Sequence, residues 1–345
     1  MSLIDELDYY ASVDRAIFDE EFADWLPRRI FDVHTHAWLP EHCLRPFAEE
    51  RVGLVFEAES VSVPELEEAY SLLFPGRQVD YLAFGMPLTI IDREANNAYV
   101  GGNIDGQHRY GLLVPGLQDD AETLWAQIQA GGFSGFKPYL SYVTWKGIEE
   151  IRVRDFVTDA ALEVAHAHGL IIMLHVPRNT RLPDPDNLAD LEYIAAHYPN
   201  ARVILAHGGR AYSRSLIERA LGRVAVLPNM YFDFSVVQSA EVVEAICAHM
   251  PAGRVMYGSD IPVATVRGLL FMLNGQRVTL TRKPFPWSLS NPASPLKCTF
   301  MGYEQLRAMK RACDNLGWGP EQVNDLFYGT ARALVDAATA AVRGG

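Results

Sequence analysis

Four short apolar runs in this chain each end on a residue able to hold a metal, and that recurrence constrains the fold more than any other feature. The first run is Arg29-Ile-Phe-Asp-Val-His-Thr-His36; residues 170–174 lead to His175, residues 203–206 to His207, and residues 255–259 to Asp260. As a strand, the first run places Asp32, His34 and His36 on one face, because side chains two apart point the same way. Two imidazoles about 7 Å apart along a strand can converge on one cation, and imidazole nitrogen suits zinc and its neighbours. A lone His-X-His is weak evidence, since a lone buried histidine usually satisfies a hydrogen bond and nothing more. Four strands that each deliver a ligand at the carboxyl end form the pattern of a catalytic (β/α)8 TIM-like barrel.

The rest of the chain keeps that rhythm. Strands are predicted over 29–36, 79–86, 109–117, 133–139, 170–176, 202–207, 230–235 and 254–260, with helical patterns between them. Such alternation with short Gly/Pro/Asn punctuation implies a parallel sheet with right-handed crossovers. A helical cap is expected over 1–28, a barrel core over 29–262 and C-terminal helices over 301–345, all in one domain of 345 residues. Residues 37–60 read as a long loop over the carboxyl face. Residues 263–300, broken by Pro284, Pro286, Pro292 and Pro295, read as an insertion after strand eight, a lid or an oligomer contact.

Composition narrows the function. A net charge of −13 with no basic run opposes binding to nucleic acid or an anionic membrane. The four cysteines are scattered, which suits a reducing cytoplasm and excludes a cysteine-based zinc site. The acidic start does not read as a secretory signal, and no apolar run approaches the ~20 residues that span a bilayer. The expected partner is a small-molecule substrate, with homo-oligomerisation left open.

His34, His36, His175 and Asp260 are therefore the expected metal ligands. Zinc in a catalytic site keeps an open position for water. The chain resembles the amidohydrolase superfamily, and more closely its amidohydrolase-related branch of metal-dependent hydrolases, lactonases and non-oxidative decarboxylases. The matching pieces are Asp32-Val-His-Thr-His36, Gly135-Phe-Lys137, Leu174-His175, Leu205-Ala-His207-Gly-Gly and Tyr257-Gly-Ser-Asp260-Ile-Pro. The resemblance implies His34, His36 and His175 as ligands to Zn2+ or another divalent metal, with Asp260 taking the proton of the metal's water. It implies His207 as either a second-metal ligand or the group that polarises substrate and moves a proton. Two-metal members carry a carboxylated lysine at the end of strand four. Lys137 lies near that end, but Pro138 follows directly, so an uncarboxylated lysine that binds substrate, and hence one ion, is the reading adopted.

Arg178 and Arg210 each follow an active-site histidine by three residues, and a guanidinium there could hold a substrate carboxylate bidentately. Tyr139 is a further pocket candidate. Asp233 ends strand seven and could orient a ligand histidine, or be merely a polar strand end. His166 and His168 fall in a last helical turn, where they suit the helix dipole and diverge around the axis. The leading expectation is a hydrolase of a small, carboxylate-bearing amide, ester or lactone. The alternative is a decarboxylase of an aromatic or unsaturated acid. A barrel nuclease is disfavoured by the acidic charge, and a purely structural zinc would need a closed site.

Overall fold

The computed structural model describes residues 3–46, 58–86, 88–285, 288–291, 293 and 296–344. The middle of the long loop after the first strand, together with Pro286, Pro292 and Pro295, lies outside the described residues.

Eight parallel strands carry the site: β1 (Arg29–His36), β2 (Gln78–Phe84), β3 (Arg109–Leu112), β4 (Gly135–Phe136), β5 (Ile171–Leu174), β6 (Arg202–Leu205), β7 (Met230–Asp233) and β8 (Val255–Met256). They pair as β1-β2-β3 and as β4-β5-β6-β7-β8. Parallel bridges at Leu113–Phe136 and Thr35–Ile261 join these two ladders on both flanks. The strands ring a core that includes Phe31, Val33, Leu82, Phe84, Met173 and Ile204. The architecture is the expected (β/α)8 barrel, with strands somewhat shorter than the apolar runs predict.

Helices alternate with the strands because their starts are capped. Ser62 opens α1 (Val63–Leu73) with a capping box: Glu65 N–H donates to Ser62 Oγ at 3.3 Å, and Ser62 N–H donates to Glu65 Oε2 at 2.8 Å. Asp92, Asp120, Thr158 and Asp184 cap α2 (Arg93–Gly102), α3 (Ala121–Gly131), α4 (Asp159–His168) and α5 (Pro185–His197) in the same way. After these come α6 (Arg214–Val224), α7 (Ala240–His249), α8 (Met301–Leu316) and α9 (Thr330–Gly344). Their apolar faces bury against the outer side of the sheet; the inner side is filled from the strands and from Ala331, Leu334, Val335 and Ala338 of α9. Among the described barrel strands, Gly135 must be glycine. Its φ is 154°, and an added Cβ would collide with the backbone of Ile171 on the paired strand.

Residues 7–22 form consecutive α and π turns lying outside the strands. Phe22 packs on Tyr303 of α8 with ring centroids 5.4 Å apart, and Asp14, fully buried, accepts from Arg267 Nε at 2.7 Å.

The segment after β8 contains a feature that the prolines obscured. Residues Gly268–Leu273 (β9) and Gln276–Thr281 (β10) form an antiparallel hairpin turned by Asn274-Gly275, both with positive φ. An Asn-Gly pair between alternating residues is a strong hairpin signal, because a two-residue I′ turn requires positive φ at both positions. Leu270, Thr279 and Thr281 are buried on one face of the hairpin. The opposite face leaves Leu269 and Leu273 exposed.

Candidate metal centre and its surroundings

The expectation that Asp32, His34 and His36 share a face fails for Asp32. The β1–β2 register shifts between Asp32 and Thr35, and such a bulge re-aims the side chains beyond it. Asp32 turns instead to the helix layer, where Tyr70 Oη of α1 donates to it at 2.7 Å and Ser259 donates both its N–H (2.9 Å) and its hydroxyl. The His34 N–H adds a fourth donor at 3.0 Å. Asp32 thus ties β1 to the loop that carries Asp260. Tyr70→Phe removes one charge-assisted hydrogen bond from this cluster, and urea unfolding is expected to show a loss of about 2 kcal/mol with metal content unchanged.

Past the bulge, His34 and His36 face inward over Phe84, with ring centroids 5.1 and 4.7 Å from it. Asp260 follows β8 at φ 60°, its N–H donating to His34 O at 2.7 Å. Asp260 Oδ1 then lies 3.5 Å from His34 Nε2 and 3.3 Å from His36 Nε2. One ligand atom from each of the three residues falls within 4.8 Å of the others.

The protonation pattern follows from the partners. Burial resists charge on Asp233, yet the His34 imidazole holds its carboxyl down at about 2, so Asp233 can only accept. The 2.9 Å bond between His34 Nδ1 and Asp233 Oδ2 therefore places the proton on Nδ1 and leaves Nε2 with its lone pair. His36 Nδ1 faces the Gly85 carbonyl at 3.4 Å, which again leaves Nε2 toward Asp260. Burial also opposes charge on Asp260, but His36 and the other imidazoles hold its carboxyl far below the ordinary range. The Nε2 atoms of His34 and His36 and an ionised carboxylate oxygen thus face one another. Two ligand atoms each about 2.1 Å from a tetrahedral ion stand about 3.4 Å apart, and the observed 3.3 and 3.5 Å spacings fit a divalent cation.

His34, His207 and Asp233 also gather within 4.8 Å, but that triangle is already filled by hydrogen bonds. Asp233 Oδ1 accepts from the His207 N–H at 2.9 Å and from both the N–H and the hydroxyl of Ser235. With its own proton given to Asp233, Ser235 Oγ accepts from His207 Nδ1 at 2.8 Å. His207 Nε2 therefore carries a lone pair. Burial, chiefly, drops the His207 pKa to about 3. The sequence left Asp233 between an orienting role and a mere strand end; the structure makes it the hub that aims two histidines. Ser235 was missed, and the run Asp233-Phe-Ser235 at a strand end was its signal.

His175 stands beside His207, ring centroids 5.1 Å apart, and 5.1 Å from the Tyr139 ring. It lies outside the three-residue group whose atoms gather within 4.8 Å. Lys137 is buried, with no hydrogen-bond partner for Nζ among the described residues, and Nζ sits 4.8 Å from the Phe84 ring centroid. Burial lowers its pKa to about 8 against the raising charges of Asp233 and Asp260.

Arg178 is held by acids of its own loop. Its Nη1 donates to Asp184 at 3.1 Å and to Asp186 at 2.6 Å, and its Nε donates to Ile151 O at 3.1 Å. The acids that capture it stand six and eight residues downstream in the same loop, so the guanidinium braces the start of α5. Arg210 donates to Val176 O at 2.7 Å and has no carboxylate partner among the described residues. Its charge adds to burial in holding the His175 pKa well below the ordinary imidazole value. His168 stacks flat on Trp125, centroids 3.6 Å apart, and His166 accepts from Asn200 N–H at 3.2 Å, far from any ligand group.

A parallel barrel with histidines and an aspartate converging at its carboxyl mouth is the design of a metal-dependent enzyme family. The chain belongs to the amidohydrolase family, whose model matches residues 31–336. No curated protein matches it in sequence. Solved structures share the fold at low identity. An amidohydrolase from Burkholderia multivorans with bound HEPES is 13% identical, with a TM-score of 0.58 over 89% of this chain and 98% of that one. A probable 2-pyrone-4,6-dicarboxylic acid hydrolase from Acinetobacter baumannii with citric acid bound is 11% identical (TM-score 0.55, 89% and 98%). A 5-carboxyvanillate decarboxylase from Novosphingobium aromaticivorans, complexed with manganese and a nitrobenzoic acid, is 12% identical (TM-score 0.52, 91% and 97%). Among the described residues, no helix is long and apolar enough to cross a membrane.

Proposed function

We propose that this protein is a hydrolase of a small, carboxylate-bearing amide, ester or lactone, dependent on one divalent metal ion held by His34, His36 and Asp260, with His175 adjoining. The observation that carries the reading is Asp260 Oδ1 facing the Nε2 atoms of His36 and His34 at 3.3 and 3.5 Å. One ion rather than two is favoured because the second His/Asp triangle is committed to hydrogen bonds and Pro138 directly follows Lys137.

When bound, a divalent ion polarises a substrate carbonyl and brings the pKa of water to about 7. The chain's own residues do the rest. Asp260 accepts the proton of the attacking water and returns it to the leaving group. His207 offers Nε2 as a second proton acceptor, held in that tautomer by Ser235. Arg210 and Tyr139 hold the substrate on the side of His175. The carboxylic acids named for the Acinetobacter and Novosphingobium proteins point toward the same substrate class. The acidic charge and free cysteines suit a cytoplasmic enzyme with no nucleic-acid partner.

The test uses the metal-loaded enzyme on a panel of carboxylate-bearing lactones, esters, amides and hydroxybenzoic acids in 18O-water. Label in the product, lost after chelation and regained with zinc or manganese, is the expected result. Carbon dioxide release without label makes the protein a decarboxylase and overturns the proposal.

A further inference from the structure

The hairpin after β8 has an outcome that reaches the barrel mouth. Across the β9–β10 ladder Leu270 pairs with Thr279, and Met272 pairs with Arg277. Residues two apart on a strand share a face, so Arg277 lies on the same face as the buried Leu270 and Thr279, one pair nearer the tip. From there its guanidinium carbon lies 6.0 Å from the centroid of the Tyr212 ring, in the loop after β6. Arg181, in the loop after β5, lies 5.2 Å from the same centroid. Arg210 stands two residues before Tyr212 and donates to Val176 O at 2.7 Å, which binds the β6 loop to the β5 loop.

Two guanidinium groups, Arg181 and Arg277, therefore converge on one aromatic ring from separate segments, and Arg210 lies on the same β6 loop as that ring. Among the described residues none of the three pairs with a carboxylate, and Arg181 Nε is buried without a hydrogen-bond partner. The acids nearest in sequence, Asp184 and Asp186, are held by Arg178. The Tyr212 face offers Arg181 and Arg277 a modest attraction, but it cannot cancel the mutual repulsion of the three cations. Burial, with the charges of Arg210 and Arg277 added, pulls the Arg181 guanidinium below its ordinary pKa. An anion with several oxygens would fill the planar donor forks of all three. The cluster is continuous with the metal centre, because Arg210 donates to the carbonyl of Val176, the residue directly after His175.

We propose that Arg181, Arg210 and Arg277, gathered around Tyr212, grip a second carboxylate of the substrate, so that the enzyme selects small di- or tricarboxylates. This rests on the hydrolase reading for the word substrate, but its test does not depend on turnover. Metal-loaded protein is titrated calorimetrically with butyrate, glutarate and tricarballylate at one low ionic strength. Affinity is expected to rise about tenfold per added carboxylate, the scale of one charge-assisted contact. Arg277→Gln, at an exposed hairpin position, and Arg181→Gln should each remove about tenfold for tricarballylate and leave butyrate unchanged. Arg223→Gln, the same charge change at an exposed residue paired with Glu192, should leave the series intact. A flat series in the wild type, or a series that survives Arg277→Gln, overturns the proposal. So does inorganic phosphate that binds as tightly as tricarballylate and is not displaced by it, which would mark a site for a free anion. A steep series without any hydrolysis would sink the hydrolase reading and spare the anion site. Hydrolysis with a flat series would do the reverse.

Discussion

Asp260→Asn is expected to cut turnover by about a thousandfold or more, the scale of a lost general base, while the metal stays bound. Asparagine keeps an oxygen in the position of Oδ1, which lies 3.3 and 3.5 Å from the two imidazole nitrogens, so coordination geometry survives. What disappears is the capacity to take a proton. The imidazoles that hold the Asp260 carboxyl far below its ordinary range make it fully ionised at neutral pH, and a bound cation would reinforce this. The measurement pairs kcat on the best hydrolysed substrate with metal content by plasma mass spectrometry. Activity within tenfold of wild type, metal retained, would remove Asp260 from the chemistry and transfer the proton to His207.

His36→Ala is expected to weaken metal binding by about a thousandfold, since each tenfold is about 1.4 kcal/mol and structural zinc sites are worth roughly 10–16 kcal/mol over their ligands. His36 is the cleaner ligand to remove. Its Nδ1 makes only a 3.4 Å contact with the Gly85 carbonyl, so little structure is lost with the ring. Removing His34 would also strand the buried Asp233 carboxylate, and an uncompensated buried charge can cost about 3–5 kcal/mol. Competition with a chelator of known affinity reads the effect, and circular dichroism checks the fold. Unchanged affinity in a folded His36→Ala protein would mean that the cation sits elsewhere.

Much of this was legible in the residues. Strand ends carrying His34, His36, His175, His207 and Asp260 stand out because a parallel barrel imposes one polar end on every apolar run. Asp32 misled because period-two alternation cannot show a bulge, and the register slip after Asp32 is set by the neighbouring strand. Arg178 misled because its position after His175 looked functional, although Asp184 and Asp186 lay close enough to claim it. Arg181 and Arg277 were not singled out at all. Their meeting at Tyr212 depends on a hairpin whose Asn274-Gly275 turn was overshadowed by the prolines that follow it. Ser235 went unnoticed for a related reason: the run Asp233-Phe-Ser235 gains its meaning only once His207 is placed beside it.

The way α9 fits into the barrel bears on how the chain is made. Ala331, Leu334, Val335 and Ala338 share one core with Phe31 and Val33 of the first strand, so the last helix supplies part of the interior that the first strand begins. During synthesis all eight strands leave the ribosome before those four residues do, and the apolar cavity waits without its plug. Domains this large pass through partly packed species with exposed apolar surface. Here the wait has a structural address, the interior that Ala331, Leu334, Val335 and Ala338 complete.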